Sequence, residues 1–239
     1  MRVNRNKLKL VSLLLVTIGL YSFADLRSSS KNVVDFSIRF LGDNNLFISE
    51  DSVNKLLIQN YGNLENRAKE QVVLNTIETI IESSPMVKNA QVYLTIDGKL
   101  ISKVVQRKPI GRVEGVSKFY LDDSGQRMPF SRHYSARVPI ITGKISGESL
   151  EDAYTILEYI NKDEFLRKNV IGIHIENVGE YQLKFRLENF VVNLGGVENL
   201  DEKFKNFMAF YVKAEKDNTL EKYATVSLKF ENQVVCTKI

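Results

Sequence analysis

Residues 87–106 read VKNAQVYLTIDGKLISKVVQ, and this stretch decides the fold of the first half of the chain. On its first arm Val92, Leu94 and Ile96 alternate with other side chains, as in a strand with one buried face. Asp97-Gly98 is typical of a tight hairpin turn, because glycine accepts the positive φ that such turns need. The return arm places four residues on one face: Leu100, Ser102, Val104 and Gln106. The stretch therefore predicts an antiparallel hairpin.

The residues before this hairpin add one strand and two helices. Residues 33–40 alternate apolar and polar side chains, which predicts a half-buried strand. A helix is expected to begin after Ser49, a suitable N-cap, and to end at Gly62. A second helix, with Val73 and three isoleucines on its buried face, is expected to end before Pro85. The order strand, helix, helix, strand, strand over residues 33–113 predicts a three-stranded sheet covered by two helices.

Residues 114–239 have the pattern of a second domain, in which a mixed β-sheet is flanked by helices. Ser149 and Asn199 are each followed three residues later by an acidic residue, so a helix is predicted to begin at each. The last alternation of apolar and polar side chains runs from Ala224 to Phe230 and predicts a final strand. A strand at the edge of a sheet can accept a partner strand. The predicted fold class is α+β.

The chain opens with a basic segment followed by an apolar one. Four cations precede the apolar run 10–24: Arg2, Arg5, Lys7 and Lys9. Cations resist transfer across a membrane, so residues 1–9 are predicted to form a cytoplasmic tail. Residues 10–26 are then predicted to form a transmembrane helix, and the remainder of the chain is predicted to be exported. The run is short for a spanning helix. Because Ser22-Phe23-Ala24 loosely fits a cleavage site, a cleaved signal peptide is the alternative.

The net charge of +4 describes the start of the chain rather than the exported part. Residues 1–31 contain six Lys or Arg and the single acid Asp25, whereas the rest contains 27 basic and 28 acidic side chains. A nucleic-acid partner needs a concentrated basic face, so this balance argues against one. The single cysteine, Cys236, cannot form an internal disulfide and is interpreted as a half-buried strand residue.

The sequence has no pattern typical of catalysis or of cofactor and metal binding. Its two histidines, His133 and His174, are far apart and lack neighbours at metal-ligand spacing. Asp122-Asp123 precedes Ser-Gly, where aspartate commonly bonds its own backbone in a turn. There is no Gly-x-Ser-x-Gly, phosphate loop or Cys-x-x-Cys. We therefore expect a non-enzymatic binding protein.

Several short stretches along nearly the whole chain occur in a specific order. They are FISEDSV (47–53), SPMVKNA (84–90), QRKPIGR (106–112), YLDDSG (120–125), VPIITG (138–143), VNLG (192–195) and KFKNF (203–207) with Tyr211. Together they resemble the bacterial cell-division family FtsQ/DivIB, and the first half of the chain resembles a POTRA domain.

The resemblance implies a single-pass scaffold of the division machinery, in the inner (cytoplasmic) membrane at the division septum, with its bulk outside the cytoplasm. It implies that the C-terminal domain binds FtsB- and FtsL-like coiled-coil proteins by adding a partner strand, and that the POTRA domain is recruited through FtsK-like partners. Carried over by position, the partner-binding residues would be Lys229, Phe230, Glu231, Asn232, Gln233, Val234 and Val235, with Lys203 and Phe207 on the preceding helix. The rivals are another POTRA-bearing export or outer-membrane assembly factor, and a secreted soluble protein with a cleaved signal.

Overall fold

A computed structural model of the protein describes residues 5–29, 32–43, 45–64, 67–231 and 233–239. The chain forms two compact units, which divide between Gln106 and Arg107. The sequence places this boundary after residue 113, but β4 (Pro109–Glu114) pairs only with strands of the second unit. Strand pairing between distant residues decides which unit β4 joins, and the local sequence pattern does not contain that information.

The first helix, α1 (Arg5–Ser29), contains the apolar run. Its described apolar side chains, from Leu10 to Phe23, are exposed in the isolated chain. Among the described residues, no helix combines the length and the apolar character that crossing a membrane requires. The transmembrane helix over residues 10–26 therefore stays a prediction.

The first unit has the predicted order of strand, helix, helix, strand, strand. Its elements are β1 (Asp35–Leu41), α2 (Glu50–Tyr61), α3 (Leu74–Glu82), β2 (Val87–Leu94) and β3 (Lys99–Gln106). The sheet has the order β1-β3-β2, with β1 parallel and β2 antiparallel to the central strand β3. The predicted hairpin is confirmed, and Gly98 at its turn has a φ of 93°.

The ends of α2 also follow the sequence prediction. The Ser49 side chain accepts a hydrogen bond from the Ser52 N–H, and Gly62 ends the helix with a φ of 89°. Two other details of the first unit differ. Ile96 is 91% exposed because it lies in the turn between β2 and β3, and Val73 is exposed because it precedes the first residue of α3.

The second unit contains a mixed sheet, as its sequence predicts, and its described residues form nine strands of that sheet. Its strands are β4 (Pro109–Glu114), β5 (Lys118–Asp122), β6 (Arg127–Met128), β7 (Ile140–Gly143), β8 (Val170–Asn177), β9 (Glu180–Phe185), β10 (Val191–Gly195), β11 (Tyr223–Ser227) and β12 (Val235–Lys238). Their order across the sheet is β12-β11-β10-β9-β8-β7-β4-β5-β6. The strand that ends the chain, β12, is therefore an edge strand.

In the part of the second unit that the structure describes, the α-helices are α4 (Gly147–Lys162), α5 (Glu164–Asn169) and α6 (Leu200–Lys216). The helix start predicted at Ser149 is wrong by one turn. Ser146 is the N-cap and Ser149 is the residue that completes its capping box, because the two serine hydroxyls bond each other's backbone N–H groups. Asn199 does precede α6, but it has a left-handed φ of 51° and its side chain makes no capping bond.

The turn at Asp122 confirms the structural interpretation of this aspartate. Its carboxylate accepts hydrogen bonds from the N–H groups of Ser124 and Gln126, and it pairs with Arg107 Nη1 at 2.9 Å. All of these groups lie within the second unit. Asp122 is fully buried, so its charge is compensated by a turn and a salt bridge.

Two buried tyrosines fix the helices of the second unit to loops and strands. Tyr181 donates its hydroxyl hydrogen bond to Asp152, and Tyr211 donates to Glu188 at 2.8 Å. Burial, followed by the hydrogen bond to a carboxylate, raises the pKa of each tyrosine to about 12. Burial and a neighbouring negative charge both disfavour the phenolate, so these side chains stay protonated at neutral pH.

Candidate partner-binding edge

The end of the chain builds the outer edge of the second sheet. β11 runs parallel to β10, with Val226 opposite Val192, and β12 returns antiparallel to β11, with Cys236 opposite Val226. Val226 is fully buried, so β11 belongs to the core. β12 lies last in the strand order, and its outer side is not paired with another strand of the described chain.

The hydrogen-bonding groups of β12 alternate between the two sides of the strand. The Ile239 N–H donates to the carbonyl of Lys222, the residue before β11, at 3.0 Å. This N–H faces β11, and the alternation places the N–H groups of Val235 and Thr237 on the same side. The N–H groups of Cys236 and Lys238 then face away from the sheet. An added strand would pair with these two.

The side chains of β12 leave this edge accessible. Val235 is 41% exposed, and Thr237 and Lys238 are exposed as well. Cys236 is half-buried against the core, and burial raises the pKa of its thiol. The interpretation of Cys236 as a half-buried strand residue is confirmed by its place in β12 and its packing against the core.

A small pocket of about 100 Å³ lies between the start of α6 and the connection that leads from β11 to β12. Its apolar lining is formed by Leu228, which is buried, and by Phe230, which is 50% exposed. The two lysines at its wall are held in place: Lys203 Nζ contacts Glu198 Oε1 at 2.9 Å and donates to the Gly196 carbonyl. Lys229 Nζ lies 3.5 Å from Glu180 Oε1.

These ion pairs set the charge state of the carboxylates near the pocket. The hydrogen bond from Lys203 lowers the pKa of Glu198. A hydrogen bond from Asn177, together with the charge of Lys229, lowers the pKa of Glu180. Both carboxylates are therefore ionised at neutral pH.

The structure places the predicted site residues differently from the sequence interpretation. The sequence predicts an edge strand over residues 229–235, but residues 229–231 and 233–234 form the connection between β11 and β12, and only Val235 lies in a strand. Asn232 lies outside the described residues. Three consecutive polar residues, Glu231-Asn232-Gln233, interrupt the alternation, and polar side chains of this kind favour turns over strands.

The structure nevertheless brings several of these residues together. Lys203, Lys229, Phe230, Glu231 and Gln233 all line the pocket, whereas Val234 packs against the core. Their role in partner binding stays a prediction.

Phe207 is the exception among the predicted site residues. Its side chain is fully buried, with its ring centroid 5.0 Å from that of Phe185. A docked partner cannot contact Phe207 without opening the core, so this residue belongs to the fold and not to the surface. The sequence interpretation did not include Cys236, Thr237 and Lys238 in the predicted edge strand, although it did predict that Cys236 lies in a strand. The β-branched run Val234-Val235, continued by Thr237, is the signal that indicates a strand there.

The groups present at the edge and in the pocket determine which contacts this region can make. Among the described residues, no three His, Cys, Asp or Glu side chains are grouped so that they could hold a metal ion. What the edge offers is a row of outward main-chain groups next to a pocket with one half-exposed aromatic ring. Main-chain pairing supplies affinity and side-chain pockets supply selectivity in strand addition.

Comparison with known proteins places this edge within a recognised sequence region. The family described as "FtsQ/DivIB, C-terminal related" matches residues 108–237, and the family described as "POTRA-like domain" matches residues 42–105. The cell division protein DivIB of Clostridium tetani (strain Massachusetts / E88) is 26% identical over 183 residues, which cover 69% of this chain and 67% of that protein. The two matched regions meet at the division between the two units. The resemblance found in the sequence is thereby confirmed.

Proposed function

Because this chain belongs to the family FtsQ/DivIB, C-terminal related, a family of cell-division proteins, we propose that it is a membrane-anchored scaffold of the bacterial division machinery. On this proposal it binds FtsB- and FtsL-like coiled-coil proteins outside the cytoplasm, at the division septum. The binding site is the open side of β12 together with the adjacent pocket. The proposed role is that of a binding protein and not of an enzyme, and it rests on family membership and on the form of this edge.

The observation that carries the proposal is the unpaired outer side of β12. Strand edges are usually protected by short length, charge, proline or a covering element. β12 is short, but half of its hydrogen-bonding groups face outward, and Val235 and Phe230 expose apolar surface beside it. Such an edge is favourable for a partner strand, which would pair with Cys236 and Lys238 and place a side chain over Phe230.

The membrane part of the proposal concerns α1. Its apolar run of 15 residues, Leu10–Ala24, would cover about 22 Å at 1.5 Å per residue, which is less than the hydrocarbon thickness of about 30 Å. We propose that the flanking Lys9 extends its charged end to the interface while its stem remains in the membrane, which makes up part of the difference. The intact mass of the chain isolated from membranes tests this, since a cleaved signal would leave a product that begins near Asp25.

The POTRA-like unit has a separate proposed role. We propose that it brings the protein to the septum through FtsK-like partners, as the family resemblance implies. The supporting finding is the match to the POTRA-like family over residues 42–105, which lies entirely within the first unit. Imaging of a fluorescent fusion in dividing cells tests this role. A fusion of the chain without residues 33–106 should keep its membrane location and lose its enrichment at the septum.

The binding proposal is tested by capture of FtsB- and FtsL-like proteins from the same organism on the purified full chain. Phe230→Ala should weaken capture by about tenfold or more, because truncation of an aromatic residue at an interface centre typically costs at least 1.4 kcal/mol. Val178→Ala is the matched control, since Val178 is also an exposed apolar residue of the second unit, in the turn between β8 and β9. Equal capture by both variants and the wild type would contradict the proposed site.

A further inference from the structure

The second edge of interest lies in the first unit and is formed by β2. In the strand order β1-β3-β2, one side of β2 pairs with β3 and the other side faces away from the sheet. Ala90 and Val92 are two residues apart, so their N–H groups point to the same side of the strand. An outer strand with free N–H groups is a template on which another chain can pair.

Two carboxylates of α3 occupy this side of β2. The Ala90 N–H donates to Glu82 Oε1 at 2.9 Å, and the Val92 N–H donates to Glu78 Oε1 at 2.6 Å. The Asn89 side chain also donates to Glu82 Oε1, at 3.1 Å. These lengths lie in or close to the normal range for such bonds. Both backbone donors therefore already have acceptors within the chain.

The spacing of the two glutamates on the helix matches the spacing of alternate N–H groups on the strand, so each glutamate can accept a hydrogen bond from one of them. Side chains four residues apart on a helix begin about 6 Å from each other. N–H groups two residues apart on a strand repeat after about 6.7 Å. Ile77 and Ile81, the residues before each glutamate, are fully buried and fix the rotation of α3. The helix therefore holds both carboxylates along the strand at the required spacing.

We propose that Glu78 and Glu82 close the β2 edge of the first unit against strand addition by a second copy of the chain. Their oxygens stand where the carbonyl oxygens of an added strand would accept the same N–H groups. A second copy is the relevant occupant because it offers the same strand with the same edge, and a pair of identical edges forms a closed two-fold interface. The proposal concerns the first unit alone and does not depend on the function proposed for β12.

The first test is amide hydrogen exchange at Ala90 and Val92 in the full chain, held in detergent micelles. In the wild type both amides should exchange more slowly than the amides of the exposed turn at Ile96 and Asp97. In the double variant Glu78→Ala, Glu82→Ala, diluted until it is monomeric, their exchange should accelerate by about tenfold, the effect of losing a hydrogen bond to a charged acceptor. The matched control is Glu78→Gln, Glu82→Gln, which removes both charges but keeps an acceptor oxygen at each position, and it should retain most of the protection.

The second test is the association state of the same three proteins by sedimentation. The alanine variant should form dimers at concentrations where the wild type and the glutamine variant do not. Association driven by α1 would be common to all three and would not separate them. The proposal is overturned if Ala90 and Val92 exchange freely in the wild type, or if the monomeric alanine variant keeps their protection. It is also overturned if the monomeric alanine variant loses this protection but, at higher concentration, associates no more than the wild type. Slow amide exchange in β3 shows that the first unit remains folded. If the double variant does not fold, the single variant Glu78→Ala replaces it, and its exchange should accelerate mainly at Val92.

Discussion

Replacing Ser102 with alanine should stabilise the first unit, although this residue lies at the centre of its sheet. Ser102 is fully buried, and among the described residues its Oγ is the one buried side-chain polar atom without a hydrogen-bond partner. Its neighbours across the sheet are Ile38 on β1 and Val92 on β2, which are both apolar. A buried hydroxyl without a partner costs about 1–3 kcal/mol, and alanine removes that cost.

The expected net gain is about 1 kcal/mol. Loss of one oxygen atom leaves a small void, and at about 24 cal/mol per Å³ a void of roughly 15 Å³ takes back about 0.4 kcal/mol. For a domain of 60–100 residues, a gain of 1 kcal/mol corresponds to an increase in Tm of roughly 4–8 °C. The change should be confined to the first unit.

Ser149→Ala is the matched control in the second unit. Ser149 is also fully buried, but its Oγ accepts a hydrogen bond from the Ser146 N–H at 2.8 Å and completes the capping box of α4. Its loss should destabilise the second unit by about 1 kcal/mol. Two equally buried serines should therefore respond to the same substitution with opposite signs.

Native-state hydrogen exchange measures both effects in one protein, because slowly exchanging amides report the opening free energy of their own unit. Amides of β3 report the first unit and amides of β8 report the second. If Ser102→Ala speeds exchange in β3, so that the first unit is less stable, the reasoning from an unpartnered hydroxyl is refuted. A stabilising effect of Ser149→Ala would refute the account of the capping box.

Three further predictions concern the second unit. Phe207→Ala should destabilise it by about 3–5 kcal/mol in urea unfolding, because it empties a packed aromatic site, and any loss of partner binding should follow the loss of folded protein. Asp122→Ala should cost about 2 kcal/mol in the same assay, since two turn N–H groups lose their acceptor. The pKa values of Tyr181 and Tyr211 are raised to about 12 in the folded state. Their contribution to stability is therefore complete below pH 10 and is lost as the pH rises from 10 through 12. Absorbance titration of tyrosinate at 295 nm, followed in parallel by circular dichroism, should show that these tyrosines ionise as the protein unfolds.

The parts of the fold that the sequence predicts are those specified by neighbouring residues. The hairpin at Gly98 and the helix between Ser49 and Gly62 follow from turn and capping chemistry within a few residues, and the structure has both. A helix is also present near Ser149, where the sequence predicts one, as α4. Here the local preference and the tertiary structure agree, which is typical of a sequence that folds to one structure.

The parts that the sequence misses depend on contacts between distant residues. β4 follows the first unit directly along the chain, but it pairs with β5 and β7 and so belongs to the second unit. The strand β12 has only four residues, Val235–Lys238, and too few alternating positions for a period to be recognised. It forms a strand because β11 provides a partner. The bonds from Glu78 and Glu82 to β2 likewise depend on how α3 packs on the sheet, which no spacing in the sequence specifies.

The candidate site shows both outcomes in one short segment. The alternation up to Phe230 correctly predicts a strand, β11 (Tyr223–Ser227), but β11 is neither the last strand of the chain nor the edge of the sheet. It places the edge too early, because the alternation belongs to β11 and its extension, and the polar residues after Phe230 turn the chain back. The family resemblance assigns the partner-binding edge to the same residues, 229–235. It therefore places the edge strand before β12 as well.

The most direct test of the central claim is the affinity of the full chain for the exported segment of an FtsB-like partner, measured for Cys236→Pro and Cys236→Ala. Both variants lose the half-buried thiol, but only proline removes the N–H that faces away from the sheet at this position. If the partner adds a strand to β12, Cys236→Pro should bind at least tenfold more weakly than Cys236→Ala, with β8 equally protected from exchange in both. Equal affinity of the two folded variants would contradict strand addition at this edge.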